Sequence, residues 1–171
     1  MNILVTLDSN YVFPLTVLLK SLTITNPNNK FDLFVAHSSL TENDFKQIQK
    51  SIDPLRTKVH PVKISPEILA DAPVPKRITK ETYYRLLMMD YLPEDIDRIL
   101  YIDPDTIVLR DLSPLYNIDF KGKTIAAAGH TKLFIEDINH IRFKTGKSSR
   151  YFNAGVMMVN LEKMRKSLQV K

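Results

Sequence analysis

Two carboxylates stand one residue apart in Asp103-Pro104-Asp105, directly after the apolar run Ile99-Leu100-Tyr101-Ile102. Acids in such a pair, stiffened by a proline at a strand end, can converge on one hard cation. An all-oxygen ligand set suits Mg²⁺ or Mn²⁺, an ion that keeps open positions for water and phosphate oxygens. Two acids next to a buried strand are costly unless a cation neutralises them. The competing reading is a surface turn, because Asp-Pro-Asp is also ordinary turn chemistry.

Three further clusters carry polar chemistry. Asp8-Ser9-Asn10-Tyr11 follows the first apolar run; Asp8 and Asn10 can hydrogen-bond a base or a ribose, and Tyr11 offers a face for stacking. The same residues form a good helix N-cap, which explains them equally well. In Phe152-Asn153-Ala154-Gly155 the small residues permit close backbone approach by a ligand, and Asn153 can bond a hydroxyl; a tightly packed strand start is the plainer alternative. Arg85, beside Tyr84, is placed where a guanidinium needs an acid or a phosphate as partner. A structural ion pair serves as well as a ligand there.

The elements that must position these groups alternate. Ile3–Leu7 reads as a strand buried on both faces, and Tyr11–Ile24 as a helix with Pro14 in its first turn. Phe31–Ala36 is a second strand. Thr41 opens another helix as N-cap, with Asp44 reaching back. Val59–Ile64 is a third strand, 65–76 a proline-broken connection, and Thr79–Thr82 the cap of a helix running to Tyr91. Then come strands at Arg98–Ile102 and Thr106–Leu109, a turn-rich stretch at Asp111–Tyr116, apolar runs at Lys123–Ala128 and Ala154–Asn160, and a helix from Leu161 to Lys171. This order predicts one α/β domain over residues 1–171 with a mostly parallel sheet flanked by helices. In such sheets ligands sit at the carboxyl ends of the strands, near the point where strand order reverses.

Composition removes several classes. There is no cysteine, hence no disulfide, zinc knuckle or thiol catalysis. Gly146-Lys147-Ser148 lacks its upstream glycine, which is Ile141, so no P-loop forms. No Gly-x-Ser-x-Gly elbow occurs, and His37, His60, His130 and His140 show no metal-ligand spacing. The N-terminus lacks a basic region before its first acid, and no apolar run reaches the roughly 20 residues needed to cross a bilayer. The expected compartment is the cytoplasm. Lysines and arginines (24) exceed acids (19), for a formal charge of +5, which fits either an anionic partner or a solvated surface. The basic run from Arg142 to Arg150, flanked by Tyr151, admits a nucleic-acid reading; a loop over a cleft accounts for it better.

Taken in order and spacing, Asp8-Ser9-Asn10-Tyr11, Thr82-Tyr83-Tyr84-Arg85-Leu86, Tyr101-Ile102-Asp103-Pro104-Asp105-Thr106 and Tyr151-Phe152-Asn153-Ala154-Gly155-Val156 resemble family 8 retaining glycosyltransferases. That group includes bacterial lipopolysaccharide galactosyltransferases, general stress protein A-like enzymes and glycogenin. The resemblance spans essentially the whole chain and implies the GT-A fold. It implies that Asp103 and Asp105 are a DxD motif holding Mn²⁺ (or Mg²⁺) against the diphosphate of UDP-glucose or UDP-galactose. It further implies that Thr6, Asp8, Asn10 and Tyr11 bind the uridine, with Tyr11 stacking on uracil, while Arg85 and Asn153-Ala154-Gly155 lie near the donor sugar; Pro104 shapes the turn between the acids. The acceptor would be lipopolysaccharide, another cell-surface glycan, a lipid-linked acceptor or a protein, and we expect the loop Leu133–Arg150 to meet it.

Family members continue beyond the point where this chain stops. They supply a histidine in an HxxGxxKPW-like motif as a third metal ligand, and an Asp-Gln-Asp-like segment at the reaction centre. The resemblance therefore implies a chain truncated at its C-terminus. Peripheral contact with the inner face of a membrane would come only from that further region. Two rivals complete the expectations: an inactive nucleotide-sugar-binding module, and a basic nucleic-acid-binding protein, under which the paired aspartates would have no purpose.

Overall fold

Five of the strands lie in one direction because short helical crossovers carry the chain back along the sheet before each new strand begins. The computed structural model describes residues 1–65, 83–129 and 152–168. Their elements are β1 (Asn2–Thr6), a 3-10 turn (Ser9–Tyr11), α1 (Val12–Thr25), β2 (Phe31–His37), α2 (Glu42–Lys50), β3 (Thr57–Lys63), α3 (Met88–Tyr91), β4 (Arg98–Ile102), α4 (Ser113–Tyr116), β5 (Ile125–Gly129), β6 (Phe152–Asn160) and α5 (Leu161–Leu168). The sheet order is β3-β2-β1-β4-β6-β5. β1 pairs in parallel with β2 and with β4, and β2 with β3, whereas β6 runs antiparallel to both β4 and β5. The α/β class and the mostly parallel sheet are as expected.

Side-chain alternation sends each central strand's residues into two cores. Ile3, Val5, Leu33, Val35, Leu100 and Ile102 pack against Leu15, Leu18, Leu19 and Leu22 of α1 and Ile48 of α2. Leu4, Phe34, Ala36, Ile99 and Tyr101 face Tyr84, Met88, Leu92 and Leu161 on the other side. The result is a helix–sheet–helix sandwich, and it explains why β1, β2 and β4 read as unbroken apolar runs. β3 lies at the edge and tolerates Pro61, which a central strand would not.

Thr41 caps α2 as expected: its hydroxyl accepts from the Asp44 N–H, and the Asp44 carboxylate accepts from the Thr41 N–H at 2.8 Å. Other expectations need correction. Thr106–Leu109 is not a strand; the Val108 N–H donates instead to Ser21 Oγ at 3.0 Å, binding the segment to α1. The helix expected to reach Tyr91 is broken, because Leu86 and Leu87 bond back to Tyr83 and Tyr84 in three-residue turns before α3 starts. β3 starts at Thr57 and β6 at Phe152, each earlier than its apolar pattern suggested. The 66–76 part of the proline-broken connection, the Thr79–Thr82 cap, His130, the loop Leu133–Arg150, the basic run within it, and Gln169–Lys171 lie outside the described residues.

Candidate functional site

Strand order reverses between β1 and β4: from β1 the chain moves outward to β2 and β3, then returns to place β4 on the other side of β1. The crevice beyond the carboxyl ends of these two strands is where an open α/β sheet receives ligands. Asp8 leaves β1 there and Asp103 leaves β4.

At the β1 end, Asp8 caps the 3-10 turn. Its Oδ1 accepts from the Asn10 N–H at 2.8 Å, and its Oδ2 from Asn10 Nδ2 at 3.4 Å. The capping reading of this cluster is therefore realised. Tyr11 ends the turn, makes no side-chain capping bond to α1, and is 43% exposed. Its ring is accordingly available as a flat apolar surface at the mouth of the crevice. Thr6 differs: it is buried, and its hydroxyl is bonded to Tyr101 at 3.0 Å.

At the β4 end, Asp103 is held by three partners. Its N–H donates to Gly155 O on β6 at 2.7 Å. Its Oδ1 accepts from the Tyr101 hydroxyl at 2.6 Å and faces Arg85 Nη2 at 3.2 Å. Of the two partners open to Arg85, an acid or a phosphate, the structure supplies an acid, Asp103, and Arg85 Nη1 also donates to Ala154 O at 3.0 Å. The guanidinium stands over the Tyr101 ring, 4.7 Å from its centroid, adding a cation–π attraction. Asp103 Oδ2 points at Gly155, where an added Cβ would stand only 2.6 Å from it. Only glycine leaves that room. Asn153 closes a tight turn, its Oδ1 accepting from the Gly155 N–H at 2.8 Å, so its Nδ2 is the group left to meet a ligand.

Asp103 and Asp105 flank buried Pro104, with Asp105 exposed. The Thr106 N–H bonds back to Asp103 O at 3.2 Å, closing a turn between them. The turn reading of this motif is therefore realised, at the carboxyl end of β4. Among the described residues no three carboxylate or imidazole groups converge. An oxygen-preferring divalent ion that also takes phosphate oxygens would draw on Asp103 and Asp105 there. Gly155 leaves the room in which Asp103 Oδ2 itself sits.

Tyr101 is the functional-site residue that sequence reasoning passed over. In the sequence it stands as one member of an apolar strand. The available signal was its position two residues before Asp103, hence on the same face of β4, together with the need of any buried phenol for a polar partner. Burial, followed by its bond to Asp103, pushes the Tyr101 hydroxyl well above the ordinary phenol range, so it stays a donor at neutral pH.

The sequence profile described as "Glycosyl transferase family 8" matches residues 2–168. General stress protein A of Bacillus subtilis is 29% identical over 173 residues, covering 97% of this chain and 58% of that protein. Lipopolysaccharide 1,3-galactosyltransferase of Salmonella typhimurium is 27% identical over 164 residues, covering 94% of this chain and 48% of that protein. Among solved structures, the galactosyltransferase LgtC in complex with donor and acceptor sugar analogues superposes with a TM-score of 0.84 at 28% identity, covering 97% of this chain and 60% of that one. The chain thus spans about half the length of the curated relatives it matches.

Proposed function

The chain belongs to glycosyl transferase family 8 and has the GT-A fold, and from that premise we propose that it is the nucleotide-sugar half of a retaining hexosyltransferase. The donor is UDP-glucose or UDP-galactose, and the acceptor is a cell-surface glycan such as lipopolysaccharide; relatives named for lipopolysaccharide galactosyl and glucosyl transfer support this choice. We further propose that the domain works in the cytoplasm.

One observation carries the reading: Asp103, fixed by Tyr101, Arg85 and Gly155, lies at the strand-order reversal beside the Asp8–Tyr11 turn. Each residue then has a defined task. Tyr11 stacks on the uracil, while Asp8 and Asn10 bond the uridine from the rim of the 3-10 turn. Asp103 and Asp105 hold Mn²⁺ or Mg²⁺, which when bound offsets the negative charge that grows on the departing UDP. Arg85 and Asn153-Ala154-Gly155 line the sugar end, where Asn153 Nδ2 meets a sugar hydroxyl.

Incubation with UDP-galactose or UDP-glucose, with Mn²⁺ and then with EDTA, tests the proposal by release of UDP. Metal-dependent release that disappears in the Asp103→Asn, Asp105→Asn double variant is the expected result. Binding of the donor without any release would leave the inactive binding module as the better description.

A further inference from the structure

Tyr101 is fully buried on β4, and a buried phenol must bond with its single proton to the best acceptor in reach. Two oxygens are in reach, Thr6 Oγ1 at 3.0 Å and Asp103 Oδ1 at 2.6 Å. A carboxylate only accepts, so the phenol proton goes to Asp103. The Thr6 hydroxyl must then donate to the phenol oxygen. The bonds form a directed relay from Thr6 through Tyr101 to Asp103, linking the last residue of β1 to the end of β4. Its final bond is charge-assisted and short, the strong kind. Arg85 adds a second contact on the same Oδ1.

The consequence is an unequal carboxylate. Oδ1 is spent inside the protein, and Oδ2 lies close against Gly155, in the room its missing Cβ leaves, while the side chain stays 31% exposed. We propose that Tyr101 is a positioning residue for the divalent cation: the Thr6–Tyr101 relay fixes the orientation in which the partly exposed Asp103 carboxylate meets the metal. The proposal rests on the reading of Asp103 as a metal ligand. A phenylalanine would fill the same volume and pack under Arg85 equally well, so the hydroxyl is the part with this task.

Mn²⁺ alone is titrated into the purified chain and into Tyr101→Phe and Thr6→Val, with free Mn²⁺ read by electron paramagnetic resonance. Unfolding midpoints are recorded in EDTA. The expected result is Mn²⁺ affinity weakened on the order of 10–100-fold in Tyr101→Phe, the range for losing a partner that orients a metal ligand. Thr6→Val, in which Tyr101 still donates but is no longer held, weakens Mn²⁺ affinity less and in the same direction. A purely structural hydroxyl would lower the midpoint and leave Mn²⁺ affinity at the parent value, and that result overturns the proposal. Should Tyr101→Phe fail to fold, unchanged Mn²⁺ affinity in folded Thr6→Val overturns it as well. If the parent itself takes up no Mn²⁺, the metal reading of Asp103 falls and this proposal with it, an outcome distinguished by failure of the parent rather than of the variants.

Discussion

Asp103 and Gly155 are matched atom for atom across β4 and β6: the Asp103 N–H donates to Gly155 O at 2.7 Å, and a methyl group on Gly155 would stand 2.6 Å from Asp103 Oδ2. The carboxylate cannot swing aside freely, because Tyr101 and Arg85 hold its other oxygen. Gly155→Ala must therefore displace the carboxylate or break its bonds. Metal-dependent UDP affinity should fall on the order of 10–100-fold, as when a metal ligand loses its orientation. Calorimetric titration of the variant checks this, and parent-like affinity would show that the close approach has no bearing on binding.

The two aspartates should differ in what they do for the fold. Asp103 has hydrogen-bonded and charged partners, whereas Asp105 is exposed. Asp103→Asn should cost about 1 kcal/mol, below the ~1.5–3 kcal/mol of bonds to a charged group because its side chain is 31% exposed. Asp105→Asn should melt with the parent. Both should lose metal-dependent UDP binding. Thermal melts beside titrations separate the two effects, and a large stability loss from Asp105→Asn would mark it as structural.

Tyr11 is half-exposed and makes no side-chain cap to α1, so its removal leaves the helix intact. Stacking of a base on an aromatic ring contributes about 1–3 kcal/mol. Tyr11→Ala should weaken UDP binding by about 10-fold or more, since 1.4 kcal/mol is a factor of ten. Pyrophosphate, which has no base, should bind parent and variant alike with Mn²⁺. An equal loss for both ligands would place Tyr11 elsewhere than under the uracil.

His37 gives the fold a pH dependence. It is buried at the end of β2, its Nδ1 accepts from the Leu40 N–H at 3.1 Å, and its ring packs edge-on against Phe45. Burial first, then the like charge of Lys63, hold its pKa below the ordinary 6.5, with Asp44 opposing them. The unfolded chain thus takes up the proton before the folded one does. Stability from this group is full above 6.5 and is lost as pH falls through the lowered folded value. Between pH 7.5 and 5.5 the melting temperature should drop, and His37→Asn, whose Oδ1 can replace Nδ1 as acceptor, should flatten that drop. Parallel curves for parent and variant would contradict the assignment.

The elements legible in the sequence were those whose local chemistry and burial agree. β1, β2 and β4 are buried on both faces and read as plain apolar runs; Thr41 and Asp44 named their own cap. Thr106–Leu109 has a strand's pattern only because Ile107 and Leu109 are apolar, yet both are exposed, so periodicity there reports composition and not a sheet. The break after Tyr84 arises from tertiary packing, with Tyr84 and Met88 both turned into the core under β4, and no proline or glycine marks it. At the site, Asp103, Arg85 and Gly155 were recognisable as candidates, but their mutual contacts join β4, β6 and the turn before α3, which spacing along a chain cannot reveal. Tyr101 was hidden for a related reason: a buried strand tyrosine looks apolar until the partner of its hydroxyl is known.

Calorimetric titration of UDP into this chain, with and without Mn²⁺, tests the central claim most directly. Binding that requires the metal, and that disappears in the Asp103→Asn, Asp105→Asn variant, is the predicted result. Binding of equal strength with Mn²⁺ and with EDTA would contradict it, because the carboxylates at the end of β4 would then have no part in holding the nucleotide.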